Sequence, residues 1–425
     1  MPFGLVFYRI LTTCLGWVAP LIFRYRAAKG KDNPAWISQR LARRPDARPD
    51  LPLIWLHGAS IGECMLNYET ALRIGTQLKS PACFLFTSQT RTAANLLRQA
   101  FDTSKTEHMC CIHQMAPFDS PGIAKRFLTY WRPDLALFAE GEIWPNLLDR
   151  LRHKAIPAYL INARMTRKTL RNWHRFAHLA RHVFSAFQAI LASNQQTAQA
   201  LSALTSVPVV QTGNLKTALP PPQADSDDLR LWSGVLQHRT VLLAASTHAP
   251  EEIQLMEAWQ LLVPRPFLIL APRHPERGDA LANMLTERGL SFSRRSLTRA
   301  PNAEADILLA DTIGEMGLWY RLANAVYVGG GHADGIGGHN PLEPLRLERP
   351  VLTGPKVYNF QELNDQLVRF TGYTVLPTLA DLPQYFPANP PEAALTEYLE
   401  DRAEQPMQAT LDTLKPALQG AGLWA

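Results

Sequence analysis

Cysteine is scarce in this chain, and the compact signatures that announce many activities are missing. The five cysteines, Cys14, Cys64, Cys83, Cys110 and Cys111, are odd in number and lack framework spacing in 425 residues, which points to a reducing compartment, the cytosol. No RNP, zinc-finger or helix-turn-helix pattern occurs, so nucleic acid is not an expected partner even though 43 Lys and Arg outnumber 37 acidic residues. The resulting net charge of +6 suits an anionic substrate or an acidic membrane surface. No G-x-G-x-x-G with an acidic residue at the proper distance follows any apolar run, which speaks against a dinucleotide oxidoreductase. The glycines after Val328 lack the lysine and serine or threonine of a Walker loop. The run His108-Met109-Cys110-Cys111-Ile112-His113 offers soft ligands, but strand alternation divides them between two faces, so no metal is expected there.

What is present begins with an apolar stretch, Met1 to Phe23, broken by Arg9 and Pro20 and followed by Arg24, Arg26, Lys29 and Lys31. It reads as an uncleaved signal-anchor or an interfacial helix, with an amphipathic helix packed on the protein body as the alternative. Trp36 to Arg44 reads as a second basic helix. From Leu53 the chain alternates short apolar runs with helical segments, the rhythm of an α/β fold. Expected strands are 53–56, 82–87, 135–138, 158–161, 189–192 and 209–211. After the proline-rich, acidic segment that starts at Leu219 they resume at 240–245, 267–271, 307–310, 325–328 and 351–353. The implied organisation is an anchor with its basic flank (1–31), a Rossmann-like domain (32–218), a linker (219–230), a second Rossmann-like domain (231–400) and a helical tail (401–425). Ligand sites of two such doubly wound domains, facing one another across a central cleft, belong at the carboxyl ends of their strands.

Polar motifs follow the strands. Gly58-Ala59-Ser60-Ile61-Gly62-Glu63 puts a carboxylate at a helix start, where it serves either as a cap or as an available base. His57 is a second candidate base. In Glu140-Gly141-Glu142-Ile143-Trp144-Pro145-Asn146, one carboxylate is expected at the active site and the other on the helix cap, or both on caps. Asn162-Ala163-Arg164 offers an anion ligand or an ion-pair partner for Glu140 or Glu142. Lys216 ends the first half. In the second half the strand exits are Ser246-Thr247-His248, Pro272-Arg273-His274, and Asp311-Thr312-Ile313-Gly314-Glu315. The glycine loop 329–338 then leads into Asn340-Pro341-Leu342-Glu343, read as an N-cap, an N1 proline and a helix start suited to phosphate. Glu343 is a capping-box partner or a ribose ligand.

Together these segments, in this order, resemble the 3-deoxy-D-manno-octulosonic acid (Kdo) transferases of lipopolysaccharide synthesis, two-domain glycosyltransferases of the GT-B type, over the chain from the anchor to about Phe360. The resemblance implies a membrane-anchored enzyme on the cytoplasmic side of the inner membrane. It implies transfer of Kdo from CMP-Kdo, with inversion, to the 6'-hydroxyl of the tetraacylated lipid A precursor, lipid IV(A). It further implies Glu63 as general base, Glu140 and Lys216 as transition-state stabilisers, and Pro272, Arg273, Ile313, Gly314, Glu315, Asn340, Pro341, Leu342 and Glu343 as CMP-binding positions, without metal or other cofactor. Gly58-Ala59 and Gly141 depart from the commoner family residues, which bears on acceptor fit. Another GT-B nucleotide-sugar transferase, or a silent membrane scaffold with a nucleotide site, are the competing readings.

Overall fold

Every apolar run expected as a strand forms one, and three further strands lie at or next to sheet edges. The computed structural model describes residues 2–29, 33–43, 46–103, 108–302 and 304–424; Lys31 and Arg44 of the expected basic segments lie outside these. The first sheet contains β1 (Leu53–His57), β2 (Ala82–Ser88), β3 (Met109–Met115), β4 (Leu135–Ala139), β5 (Ala158–Ala163), β6 (Ala189–Ala192) and β7 (Val209–Gln211). The second contains β8 (Val241–Thr247), β9 (Phe267–Pro272), β10 (Phe292–Arg294), β11 (Ile307–Leu309), β12 (Ala325–Val328), β13 (Val351–Thr353) and β14 (Tyr373–Val375). All their pairings are parallel. Crossover helices cover both faces, so β1 is buried along its whole length. Leu53 and Trp55 enter one core and Ile54 and Leu56 the other.

The strand orders are β3-β2-β1-β4-β5-β6-β7 and β10-β11-β9-β8-β12-β13-β14. Each sheet therefore reverses its winding once, between β1 and β4 and between β8 and β12. A crevice opens at such a point because the chains leaving the two strands turn opposite ways. The polar motifs after these four strands are thereby collected into one place per sheet.

Two compact units contain these sheets: residues 1–219 with 402–425, and residues 220–401. The segment expected as a separate tail at 401–425 instead continues the helix Ala393–Gly420, and Met407, Leu411, Leu414, Leu418 and Leu423 join a core of the first unit. The acidic end of the expected linker is also ordered, since Asp225 accepts hydrogen bonds from the N–H groups of Asp227 and Asp228 and caps the helix Ser226–Leu236.

The N-terminal helix, Phe3–Ala28, has a mean hydropathy of 1.6 over its most apolar window. One stripe packs on the first unit: Leu5, Thr12 and Ala19 are buried, Tyr8 donates to Asp119 (2.9 Å), and Asn146 donates to Thr12 (3.1 Å). The opposite face leaves Phe3 86% and Trp17 81% exposed. Asp119 also takes the N–H groups of Asn146 and Leu147. The helix Pro145–His153 is thus capped from a distant loop, and not by Glu140 or Glu142 as the local sequence suggested.

In the second unit the helix Met316–Leu322 can meet the backbone at Pro222 and Gln223 because Gly317 has no side chain; a Cβ there would overlap both carbonyl oxygens. Gly317→Ala is expected to destabilise by about 1–3 kcal/mol, seen as a lower urea midpoint at unchanged slope.

Candidate active site

Glu63 is both a cap and a carboxylate with an oxygen to spare. Ser60 caps the helix Ile61–Gly75 by accepting the Glu63 N–H (3.3 Å), and Glu63 Oε2 reaches back to accept the N–H of Ala59 (2.6 Å) and of Ser60 (3.2 Å). This reciprocal box locks the side chain. Oε1 makes no hydrogen bond among the described residues, and Glu63 is half-buried. Gly58 permits the arrangement, because a Cβ there would come within 2.9 Å of the Glu63 Cβ.

Across the switch point, Glu140 follows β4 with φ of 54°, a left-handed conformation that turns its side chain out of the strand direction. Its Oε1 meets Lys216 Nζ at 2.5 Å and accepts the Asn162 amide at 3.2 Å. Asn162, fully buried and itself at φ 50°, accepts the Leu215 N–H with its other amide atom (2.9 Å). One side chain therefore fixes both members of the Glu140–Lys216 pair. A Cβ on Gly62 would lie 3.6 Å from Lys216 Nζ, so the pair sits against the same helix start that carries Glu63. Arg164, the expected partner of Glu140 or Glu142, is exposed and makes no ion pair among the described residues.

His57, the second candidate base, is 1% exposed and committed elsewhere. Its Nε2 lies 3.1 Å from Glu142 Oε2 and its Nδ1 2.8 Å from Thr87 Oγ1, which also accepts the Trp55 indole N–H. A carboxylate only accepts, so in the neutral ring Nε2 carries the proton and the Thr87 hydroxyl donates to Nδ1. Burial pushes the Glu142 carboxyl up, but the hydrogen bonds from His57 and Trp144 outweigh it and hold the group below the usual carboxylate range. This chain of contacts ties β1, β2 and the loop after β4 together.

In the second unit the switch point is built around Glu251, which is fully buried. It accepts the N–H groups of His248 (3.1 Å) and Gly330 (2.6 Å) and the Tyr327 hydroxyl (3.1 Å), joining the loops that leave β8 and β12. Burial nevertheless keeps its carboxyl above the usual range. His248 and His339 meet Nε2 to Nε2 at 2.8 Å, and His274 packs edge-on to His248. Arg273 is exposed, and its guanidinium has no partner among the described residues. Asn340 accepts the Leu342 N–H (3.1 Å), but the helix begins at Leu342 and is only one turn long, Leu342–Leu345, with Pro341 at its N-cap. The anion-binding potential expected there thus rests on loop N–H groups more than on a helix dipole. Glu343 is bonded to Asn340 and Tyr320, and burial raises its carboxyl.

The sequence profile of the family described as 3-Deoxy-D-manno-octulosonic-acid transferase (kdotransferase) matches residues 35–219. The 3-deoxy-D-manno-octulosonic acid transferase of Haemophilus influenzae is 32% identical over 380 residues, 85% of each chain. The chain belongs to the Kdo transferase family. That of Bordetella pertussis is 31% identical over 83% of this chain and 84% of its own. The crystal structure of UDP-GlcNAc 2-epimerase from Neisseria meningitidis, at 14% identity, covers 86% of this chain and 99% of its own with a TM-score of 0.52, a likeness of fold alone.

As a Kdo transferase the chain is a glycosyltransferase, and its structure brings the expected positions together unevenly. Glu63, Glu140 and Lys216 adjoin one switch point; Arg273 and Glu343 lie at the carboxyl side of the second sheet, where burial raises the Glu343 carboxyl and Asn340, Tyr320 and, least, the Arg273 charge oppose it. Ile313 and Gly314 are open, Ile313 being 81% exposed, and Gly314 has φ of 91° with nothing near its missing side chain. Glu315 is less available, since the buried Arg295 pairs with it at 2.5 Å and also with Asp228. Glu251 and His339 were not singled out in the sequence. Asn162 belongs to the motif Asn162-Ala163-Arg164, read there as an anion ligand or ion-pair partner, whereas it lies within β5 and holds Glu140 and the Leu215 backbone.

His113 in β3 is buried, bonded to Ser88, and its ring pKa is pushed down to about 3; that of His339 falls to about 4, burial being the main cause in both. Between pH of about 6.5 and 4 the unfolded chain takes up protons that these folded rings refuse, so they withdraw stability as pH falls. The raised carboxyls of Asp119 and Glu251 act in the opposite sense. His113→Gln is therefore expected to lose less stability than the parent protein on acidification across that window, measured by urea unfolding at each pH.

Proposed function

We propose that this Kdo transferase moves Kdo from CMP-Kdo to the 6'-hydroxyl of lipid IV(A) at the cytoplasmic face of the inner membrane. The observation that carries the reading is the locked Glu63 carboxylate, with Oε1 spare, beside the Glu140–Lys216 pair. Glu63 Oε1 takes the proton of the acceptor hydroxyl as its oxygen attacks the anomeric carbon of Kdo from the face opposite the nucleotide. The bond from that carbon to the phosphate oxygen breaks, and CMP leaves with the electron pair, so the configuration inverts. The two N–H groups on Oε2 hold the base oriented throughout. Glu140 steadies positive charge on the sugar ring, and Lys216 steadies the Kdo carboxylate or the phosphate.

On the donor side, Pro272-Arg273, Ile313-Gly314-Glu315 and Asn340-Pro341-Leu342-Glu343 form the CMP elements. The unpaired Arg273 guanidinium and the loop N–H groups neutralise phosphate charge, and we infer that no metal is needed for this. Glu343 receives ribose hydroxyls, and the open Ile313-Gly314 surface suits a flat base. The N-terminal helix lies in the membrane interface: its inner stripe is used up by the first unit, and its outer face offers Phe3, Phe7 and Trp17 to lipid.

Incubation with CMP-Kdo and a tetraacylated precursor in the presence of EDTA tests this. The expected result is release of CMP and a product heavier by one or more Kdo units. No CMP release by folded, detergent-dispersed protein would end the CMP-Kdo reading and favour another nucleotide sugar or a silent scaffold. Release that EDTA abolishes and Mg2+ restores would end the metal-free part alone.

A further inference from the structure

Between Asp149 and Asp225 the chain contains no acidic residue, while residues 150–224 carry ten Lys and Arg. Many of these cations lie on one helical pair. From the carboxyl end of β5 the chain runs through Arg164 into the helix Arg167–Arg175, bends at Phe176, and continues as the helix Ala177–Phe184. Arg164, Arg167, Lys168, Arg171, Arg175 and Arg181 are all exposed, and none makes an ion pair among the described residues. Only Leu170 of the first helix is buried. Among the described residues Asp149 meets the pair of helices only at His182, and a surface of cations without ion-pair partners is a costly arrangement unless something anionic meets it.

Its neighbour indicates what. Leu179 lies against Gly4, where a Cβ would be 3.4 Å from its Cδ2, so the second helix abuts the start of the apolar N-terminal helix. The junction is clamped by Asp149, which binds Arg9 of that helix at 2.5 Å and His182 at 3.0 Å. Phe176, one turn before Leu179, is 63% exposed, beside a helix that leaves Phe3 86% and Phe7 62% exposed. Exposed aromatics rimmed by unpaired guanidinium groups suit a surface that is apolar inside and anionic outside.

We propose that the helices Arg167–Arg175 and Ala177–Phe184 form a docking surface for anionic phospholipid, separate from the apolar grip of the N-terminal helix. The cations contact headgroup phosphates while Phe176 enters the interface. This deepens the membrane reading above. It also gives the surface a purpose, since Arg164 follows β5, whose carboxyl end carries the Asn162 that holds the Glu140–Lys216 pair, so the bilayer is held beside the carboxyl edge where a lipid acceptor must be met.

Flotation of the full chain with vesicles tests it, using phosphatidylcholine alone or mixed with phosphatidylglycerol. The parent protein should bind the anionic vesicles at least tenfold more tightly at about 0.1 M salt, with the preference fading as salt rises. R167Q/R171Q/R175Q should lose most of that preference yet bind neutral vesicles as before, whereas R265Q/R288Q/R369Q, in the other unit, should keep it. Retention of the full preference by the first variant, or an equal loss in the second, would overturn the proposal. So would a lower turnover of the first variant on acceptor dispersed in neutral detergent, which would assign these cations to phosphates on the acceptor. Vesicle binding needs neither donor nor acceptor, so its outcome stands even where the CMP-Kdo assignment fails.

Discussion

A glutamate in the first turn of the helix after the leading strand holds each unit's strand exits in place. Glu63 follows β1 and Glu251 follows β8, and each turns back to accept N–H groups from the loop before its helix. Free N–H groups at a helix start demand partners, and a carboxylate three positions in is a common solution. The two differ in what remains. Glu251 is fully buried and has donors on both oxygens, so it is structural; Glu63 is half-buried and keeps Oε1 unengaged. The same local device therefore yields a fastening in one unit and, in the other, a carboxylate held at a fixed angle with one oxygen open, as the proposed base requires.

The sheets make that device useful. Reversal of strand order between β1 and β4 brings two exits side by side, and Glu140 leaves β4 in a left-handed conformation facing Lys216. Lys216 comes from the far side of the sheet, beyond the edge strand β7, and it reaches the site because Asn162 holds the Leu215 backbone. A partly buried ion pair contributes little net stability, and removal of one member leaves the other unpaired. In the proposed mechanism its value lies in holding opposite charges where a sugar ring and its acid group would pass.

Strand existence was legible because parallel strands buried on both faces read as short, uninterrupted apolar runs. β10 and β14 were missed because polar residues interrupt their short runs, Ser293 and Arg294 in one and Thr374 in the other; β3, at the edge of its sheet, carries His113 and Gln114 and reads as a strand only where His108 to His113 are weighed as metal ligands. The charged site positions were legible as residues just after strands. Their partners were not, because they come from other strands: Lys216 instead of Arg164 for Glu140, Asp119 for the Pro145–His153 helix, and Arg295 for Glu315. Local spacing also overstated the helix after Asn340, where the proline at 344 and a turn at Arg346 leave a single turn.

The central claim is that the free oxygen of Glu63 removes the acceptor proton, and Glu63→Gln tests it most directly. Glutamine keeps the size and can still accept the Ala59 and Ser60 N–H groups through its amide oxygen, but it has no basic oxygen left. The account predicts that CMP binds this variant about as it binds the parent protein while the transfer rate falls by about a thousandfold, within the range of a lost general base. Transfer at the parent rate would contradict it.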